Sequence, residues 1–254
     1  MNRIVAIANP KGGVGKTTTA INLSAGLGEL NKKILAIDFD PQGGLSTGLG
    51  VDIDGLELTI YNALFDKSVS LDKTILNTSI KNIDLVPANI DLSMAEVLLL
   101  NKMARETFLK KKIEPLRNKY DFIFVDCPPS LGQLTINALI AADKIIIPVQ
   151  CSFLAMRGLK QMIDIIEEVK ESLNPELQIA GILLTQFDSR TLHAREVIQR
   201  VREAFRDKVY KTIIVRTVRF DEAPVKGRPI LEYASNSKGA ECYRNLSKEV
   251  LKNA

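Results

Sequence analysis

The stretch Lys11-Gly12-Gly13-Val14-Gly15-Lys16-Thr17-Thr18 concentrates three glycines and two lysines in six residues and follows them with hydroxyls. Glycines let a backbone curl until several N–H groups face one point. Lysine adds an ammonium, and a threonine hydroxyl can ligate a hard cation. Such a set suits a polyphosphate: the amides cradle it, Lys16 meets the β/γ oxygens, and Thr17 ligates Mg2+ alongside water and phosphate oxygens. The loop departs from the G-x-x-x-x-G-K-[ST] pattern, because Pro10 holds the first glycine position and an additional lysine, Lys11, follows it. A glycine-rich turn that binds nothing would account for the glycines but not for the lysines and hydroxyls beside them.

Such a site also needs carboxylates. Phe122-Ile123-Phe124-Val125-Asp126 is apolar up to a terminal acid, the place where a P-loop sheet puts the carboxylate that stands near the Mg2+ shell. A second apolar run ends in Asp38-Phe39-Asp40-Pro41-Gln42. Asp38 and Asp40 alternate with Phe39, which on an extended chain sends both to one side. One of them is expected to polarise an attacking water or hold a metal-bound one.

The elements that must position these groups follow from the hydrophobic pattern. Nearly continuous apolar runs at 4–8, 34–38, 83–87, 122–126, 144–149, 179–185 and 212–215 predict strands covered on both faces. Helical periodicity marks 16–30, 92–120 (interrupted at Pro115), 133–142, 155–173, 192–206 and 238–251. Strand–helix alternation implies an α/β fold, doubly wound, with a mostly parallel central sheet flanked by helices. The first strand, loop and helix give the glycine-rich segment the context a P-loop requires. No Pro/Gly/Ser-rich linker or repeat divides the chain, so one domain over residues 1–254 is expected.

Composition narrows the class. Of 254 residues, 46% are hydrophobic and 25% charged, which excludes a disordered or fibrous chain. No apolar run is long enough to span a bilayer, and no signal-peptide pattern opens the sequence, so a cytoplasmic protein is expected. Cys127, Cys151 and Cys242 lack metal-ligand spacing and read as small buried thiols; His193 reads as a surface or helix-start residue. Residues 186–254 hold 15 lysines and arginines against 9 acids, whereas the remainder is near neutral. That asymmetry points to a polyanionic partner, although a solvated basic face would look the same.

Taken together, Lys11-Gly-Gly-Val-Gly-Lys-Thr-Thr18, Asp38-Phe-Asp-Pro-Gln42 and Asp126-Cys-Pro-Pro-Ser130 resemble the deviant Walker-A ATPases. Leu134-Thr-Ile-Asn-Ala138, Ile147-Pro-Val-Gln150, Gly181-Ile-Leu-Leu-Thr185 and Val218-Arg-Phe-Asp-Glu-Ala-Pro224 narrow the likeness to the ParA/Soj chromosome- and plasmid-partitioning ATPases. The resemblance spans nearly the whole chain. It implies binding of ATP or ADP with Mg2+, and an ATP-dependent homodimer in which Lys11 reaches across to the partner's phosphates. It makes Lys11, Lys16, Asp40 and Asp126 the catalytic set, with Thr17, Asp40 and Asp126 around the metal. The nucleotide would be held by residues 11–18 (Lys11, Gly12, Gly13, Val14, Gly15, Lys16, Thr17, Thr18), with Val215, Arg216 and Thr217 at the adenine. Where Val215 stands, the family commonly has proline. The resemblance further implies sequence-independent binding of double-stranded DNA and stimulation by a ParB-type centromere-binding protein. It also implies a nucleoid-associated location. Arg190, in Phe187-Asp-Ser-Arg190, matches a family DNA-contact position; Arg219, Lys226, Arg228, Lys238, Arg244 and Lys248 follow from charge and approximate location. On the 192–206 helix, Arg195, Arg202 and Arg206 share one side and Ile198, Val201 and Phe205 the adjoining one. With few aromatics among these charges, phosphate contact rather than base stacking is expected.

Related functions fit less well. Membrane-positioning MinD proteins end in a lipid-docking amphipathic helix, whereas residues 236–254 resemble an ordinary packing helix. Iron–sulfur carriers need paired cysteines. Dethiobiotin synthetases share the fold but not the Lys11 signature. ParA-like ATPases that position protein cargo share the same chemistry, and a neighbouring ParB-like gene would separate them from segregation proteins.

Overall fold

The structure, a computed structural model, describes residues 3–152 and 155–253; the side chains of Leu192 and His193 lie outside the described set. Strands β1 (Arg3–Ile7), β2 (Ile34–Asp38), β3 (Leu76–Asn77), β4 (Ile83–Val86), β5 (Phe122–Asp126), β6 (Lys144–Gln150) and β7 (Gln178–Thr185) form one sheet in the order β3-β4-β2-β5-β1-β6-β7. All neighbours run parallel except β3, which is antiparallel to β4. Helices α1 (Lys16–Glu29), α2 (Gly44–Gly48), α3 (Ile60–Phe65), α4 (Ser93–Leu100), α5 (Phe108–Ile113), α6 (Gln133–Ala141), α7 (Ala155–Ser172), α8 (Leu192–Phe205), α9 (Arg219–Val225), α10 (Ile230–Tyr233) and α11 (Lys238–Lys252) connect and cover the strands.

Both faces of the sheet are buried, which is why its strands read as unbroken apolar runs. Along β1, Ile4 and Ala6 point into a core shared with α3, α5, α6, α7 and α8. Val5 and Ile7 point into the opposite core, with α1, α2, α10 and α11. Because β1 lies between β5 and β6, the loop after it leaves the carboxyl edge of the sheet at its middle, where open α/β sheets bind ligands. Among the described residues no helix is long and apolar enough to cross a membrane.

Two expectations need correction. Residues 212–215 do not form a strand. The segment meets β7 through one backbone bond, Ile214 N–H to the Leu184 carbonyl at 2.9 Å, and Val215 bridges Phe187 just beyond the strand. The N–H groups of Lys211 and Thr212 instead donate to the Glu249 carboxylate, at 2.7 and 3.1 Å, so the ladder is interrupted between Tyr210 and Ile214. The 92–120 helix breaks near residue 104, well before Pro115. Ala104 takes a left-handed φ of 50°, and a 3-10 turn over Arg105–Thr107 leads into α5. Asn137 of α6 supports the break by accepting from Leu109 N–H and donating to the Arg105 carbonyl. Pro115 is the second residue of a further 3-10 turn, Glu114–Lys119, where its missing N–H is harmless. The other six expected strands form within a residue of their expected ends. Of the thiols, Cys127 and Cys242 are buried and Cys151 is half-buried.

Candidate active site

The loop between β1 and α1 curls through Gly13 and Gly15, whose φ angles of 69° and 89° lie where a Cβ is strained. Gly15 is the N-cap of α1, with no side-chain acceptor on the helix N–H groups and no acid in the first turn. Those amides and the positive end of the helix are therefore left for an external anion. Neighbouring strands hold the loop in shape. Thr185 Oγ1 donates to the Val14 carbonyl at 2.8 Å, and Gln186 Nε2 donates to the Gly13 carbonyl. Asn9 accepts from Lys11 N–H at 2.9 Å and donates to the Pro148 carbonyl at 2.7 Å.

Lys16 is buried, and its ammonium donates to the Lys11 carbonyl at 3.2 Å. Burial holds its pKa below the ordinary lysine range, against the opposing pull of Asp126, Cys127 and Asp40. Asp126 and Asp38 are register partners on β5 and β2, both fully buried. Asp38 accepts from Ser46 N–H (2.8 Å), Ser46 Oγ (2.7 Å) and Asp40 N–H (3.2 Å). Burial pushes its carboxyl up to about 7, partly offset by the Ser46 bonds. Asp126 has no hydrogen-bond donor on either oxygen among the described residues. Burial and then Asp38 drive its pKa well up; Thr17 works against them without reaching hydrogen-bond geometry.

A buried carboxylate without a donor is expensive unless a cation meets it. Asp126 with the Thr17 hydroxyl is thus a donor set that fits a hard divalent ion at the mouth of the phosphate loop. Asp40 is half-exposed and accepts from Gln42 N–H at 3.0 Å. The two acids that alternation placed together therefore differ: Asp38 is buried and fastens the start of α2, while Asp40 remains near Lys16 with access to water.

Lys11 is half-exposed and folds back onto its own chain, donating to Gln150 Oε1 at 3.0 Å and Ser152 Oγ at 3.2 Å. Beside α1, a cavity of about 170 Å³ is lined by Gly15, Thr18, Gln186, Val215, Arg216 and Thr217, so the segment expected at adenine does adjoin the phosphate loop. Val215, Arg216 and Thr217 also form one wall of a larger cleft, about 990 Å³, into which Arg190, Arg219 and Lys238 project. Of the other basic candidates, Lys226, Arg228 and Lys248 are exposed away from that cleft. Arg244 is already occupied by Glu29, through two 2.8 Å bonds, and by Ser235.

Reading the sequence alone gave Asn9, Gln150, Thr185 and Gln186 no role, yet each holds the phosphate loop or Lys11. Three of them stand at the carboxyl ends of β6 and β7 or one residue beyond, as polar residues closing apolar runs. That position was the available signal.

A model of the AAA domain matches residues 2–179. The sporulation initiation inhibitor protein Soj of Bacillus subtilis strain 168 is 47% identical over 253 residues, 100% of both chains. The chromosome partitioning protein ParA of Myxococcus xanthus strain DK1622 is 46% identical over 252 residues, 99% of this chain and 89% of its own. Among solved structures, cobyrinic acid a,c-diamide synthase from Mycobacterium smegmatis, with bound ADP and magnesium, superposes with a TM-score of 0.87 at 38% identity. That match covers 99% of this chain and 95% of the other. With identity of this level running from end to end, and with the phosphate loop and the two acid-bearing strands assembled at one sheet edge, the chain belongs to the ParA/Soj family of partitioning ATPases.

Proposed function

We propose that this ATPase binds ATP as a face-to-face dimer, that the dimer binds duplex DNA without reading sequence, and that hydrolysis stimulated by a ParB-type partner releases it. The observation that carries the reading is the pairing of the phosphate loop with Lys11. That lysine is not needed to close its own loop, since its contacts are to Gln150 and Ser152, and so it is free to leave them for a partner's phosphates. In that position it supplies, in trans, the charge an arginine finger supplies elsewhere. Lys16 and the free amides of Gly13 to Thr18 hold the β- and γ-phosphates. Val215, Arg216 and Thr217 border the adenine. Asp40 orients the attacking water. Thr17 and Asp126 would hold Mg2+, which neutralises charge on the phosphates when bound.

The DNA reading is supported by Arg190, Arg216, Arg219 and Lys238 sharing one open cleft. With Arg190 held by Asp188 at 2.7 Å, the other three cations give an expected slope of log K against log salt of about −3 per protomer. Positioning of a protein cargo would use the same chemistry with a different partner. A small-molecule role, as the name of the diamide synthase suggests for that protein, is favoured less by a cleft whose four cations outnumber its two acids, Asp188 and Asp221.

The test uses Asp40→Ala, which is expected to keep ATP and turn over poorly. Light scattering should show a doubled mass with ATP and a monomer with ADP, and DNA should shift only with ATP. Phosphate release by the unmodified chain should rise when DNA and a ParB-type protein are both present. Normal turnover by the variant removes Asp40 from its role, and the absence of stimulation by any DNA-bound ParB-type protein argues against segregation.

A further inference from the structure

Three hydrogen bonds connect Lys11 to the loop that carries Arg190. Lys11 Nζ donates to Gln150 Oε1 at 3.0 Å, Gln150 Nε2 donates to Gln186 Oε1 at 2.9 Å, and Gln186 Nε2 donates to the Gly13 carbonyl. The two ends dictate the direction of the chain. An ammonium can only donate and a carbonyl can only accept, so both amides are oriented without ambiguity. Gln186 itself has a φ of 53°, left-handed backbone that a long side chain rarely adopts and that surrounding contacts must maintain. Phe187 follows immediately, donating from N–H to the Ile214 carbonyl and accepting from Arg216 N–H. Arg190 and Arg216, two cations of the large cleft, thus hang on the segment that Gln186 anchors.

We propose that Gln186 is a positioning residue that links the place of Lys11 to the presentation of Arg190 and Arg216, an inference resting on the dimer and DNA reading above. While Lys11 stays on Gln150, the amide chain is complete and holds the Phe187–Arg190 loop as seen here. When the ammonium leaves for a second copy's phosphates, Gln150 loses its charged donor and its amide is free to rotate. Gln186 keeps its Gly13 bond and the Phe187 bonds beside it but loses the fixed donor on Oε1, one of the contacts that maintain its left-handed backbone. The loop that carries Arg190 reorganises in the ATP dimer and only there.

The experiment measures duplex DNA affinity at saturating ATP and at saturating ADP, in the Asp40→Ala background, with and without Gln186→Gly. Glycine keeps the left-handed backbone without strain and removes only the side chain. A coupled pair of sites typically shows a ratio of about 5- to 150-fold; with Gln186→Gly the ATP/ADP ratio is expected to fall to about 2-fold or less. A purely structural role would weaken binding equally in both states and leave the ratio intact, which overturns the proposal. A second variant, Gln150→Glu, gives Lys11 an ion-pair partner in its own chain and should shift the dimer midpoint to higher protein concentration. Unchanged dimerisation also overturns it. If the parent chain itself shows no ATP-dependent DNA binding, the functional reading fails and takes this inference with it; a parent that couples beside a Gln186→Gly that still couples defeats the inference alone.

Discussion

Helix α6 has no cap of its own. Its N-cap residue, Gly132, makes no side-chain bond, and the first amides are met by Glu96 from α4. Gln133 N–H donates to Glu96 Oε2 at 2.7 Å and Leu134 N–H donates to Oε1 at 3.3 Å. Replacing a capping acceptor by alanine costs about 0.5–2 kcal/mol; a charged acceptor on two amides, one of them buried, belongs in the upper half of that range. Glu96→Ala should therefore destabilise by about 1–2 kcal/mol, or about 2–8 °C in Tm for a chain of this size. The same geometry predicts the compensation. A Cβ on Gly132 would lie 2.4 Å from Glu96 Oε1, so any side chain there displaces the carboxylate. Gly132 is extended, at φ −78° and ψ −171°, which a serine N-cap adopts readily. Gly132→Ser should be near neutral, exchanging one cap for another, and Glu96→Ala added to it should cost less than about 0.5 kcal/mol. Urea melts of the four proteins give the coupling energy directly. If Glu96→Ala costs the same in both backgrounds, the carboxylate is not the cap. The consequence reaches the active site, because Pro129, just ahead of α6, stands 3.8 Å from where a Gly12 Cβ would be.

Two further outcomes follow from the site. Lys16→Ala should lose ATP binding: at 100 times Kd, ATP raises the stability of the unmodified chain by about 2.7 kcal/mol, and that thermal shift should vanish in the variant; an ATP-induced rise of unchanged size would place the ammonium away from the phosphates. Asp188 holds Arg190 through bonds of 2.9 and 2.7 Å, and that guanidinium lowers the carboxyl to about 2. Since the folded pKa is depressed, the pair is complete at neutral pH and is lost only as the pH falls toward 2, so DNA affinity should not respond to it between pH 6 and 8. Asp188→Asn should free Arg190 and steepen the salt slope of DNA binding by about 0.9; an unchanged slope in filter-binding assays removes Arg190 from the contacts.

The parts of the fold that were legible in the sequence are those where one local pattern decides the outcome. Continuous apolar runs marked the buried strands because both faces of β1 and β5 meet packed cores. The phosphate loop was legible because left-handed glycines and paired lysines have few other uses in that order. What was not legible depends on a side chain from a distant element taking backbone bonds. Glu249 of α11 caps the amides of Lys211 and Thr212 and dissolves a strand that the pattern 212–215 predicted. Asn137 supports a helix break that no glycine or proline near Ala104 announces. Short α2 and α3 escaped notice because a helix of five or six residues carries too little periodicity.

The site shows the same division. Asp38 and Asp40 are indistinguishable as letters, each a strand-end acid, and they separate only because Ser46, eight residues past Asp38, comes round to donate two hydrogen bonds to it. A carboxylate so engaged anchors α2 against the phosphate loop and has little left to offer a water, whereas Asp40 keeps an oxygen unclaimed among the described residues. Gln150 and Gln186 are harder still to read, since glutamine has no spacing rule and each matters only through partners on other elements, Lys11 for one and Gly13 for the other. Their meaning lies in a chain whose two ends, an ammonium and a carbonyl, are 2 residues apart in one loop and are joined through the carboxyl ends of β6 and β7. Chemistry carried by charge or by glycine is visible in a sequence before the structure is known; chemistry carried by neutral amides becomes visible only once the fold has supplied their partners.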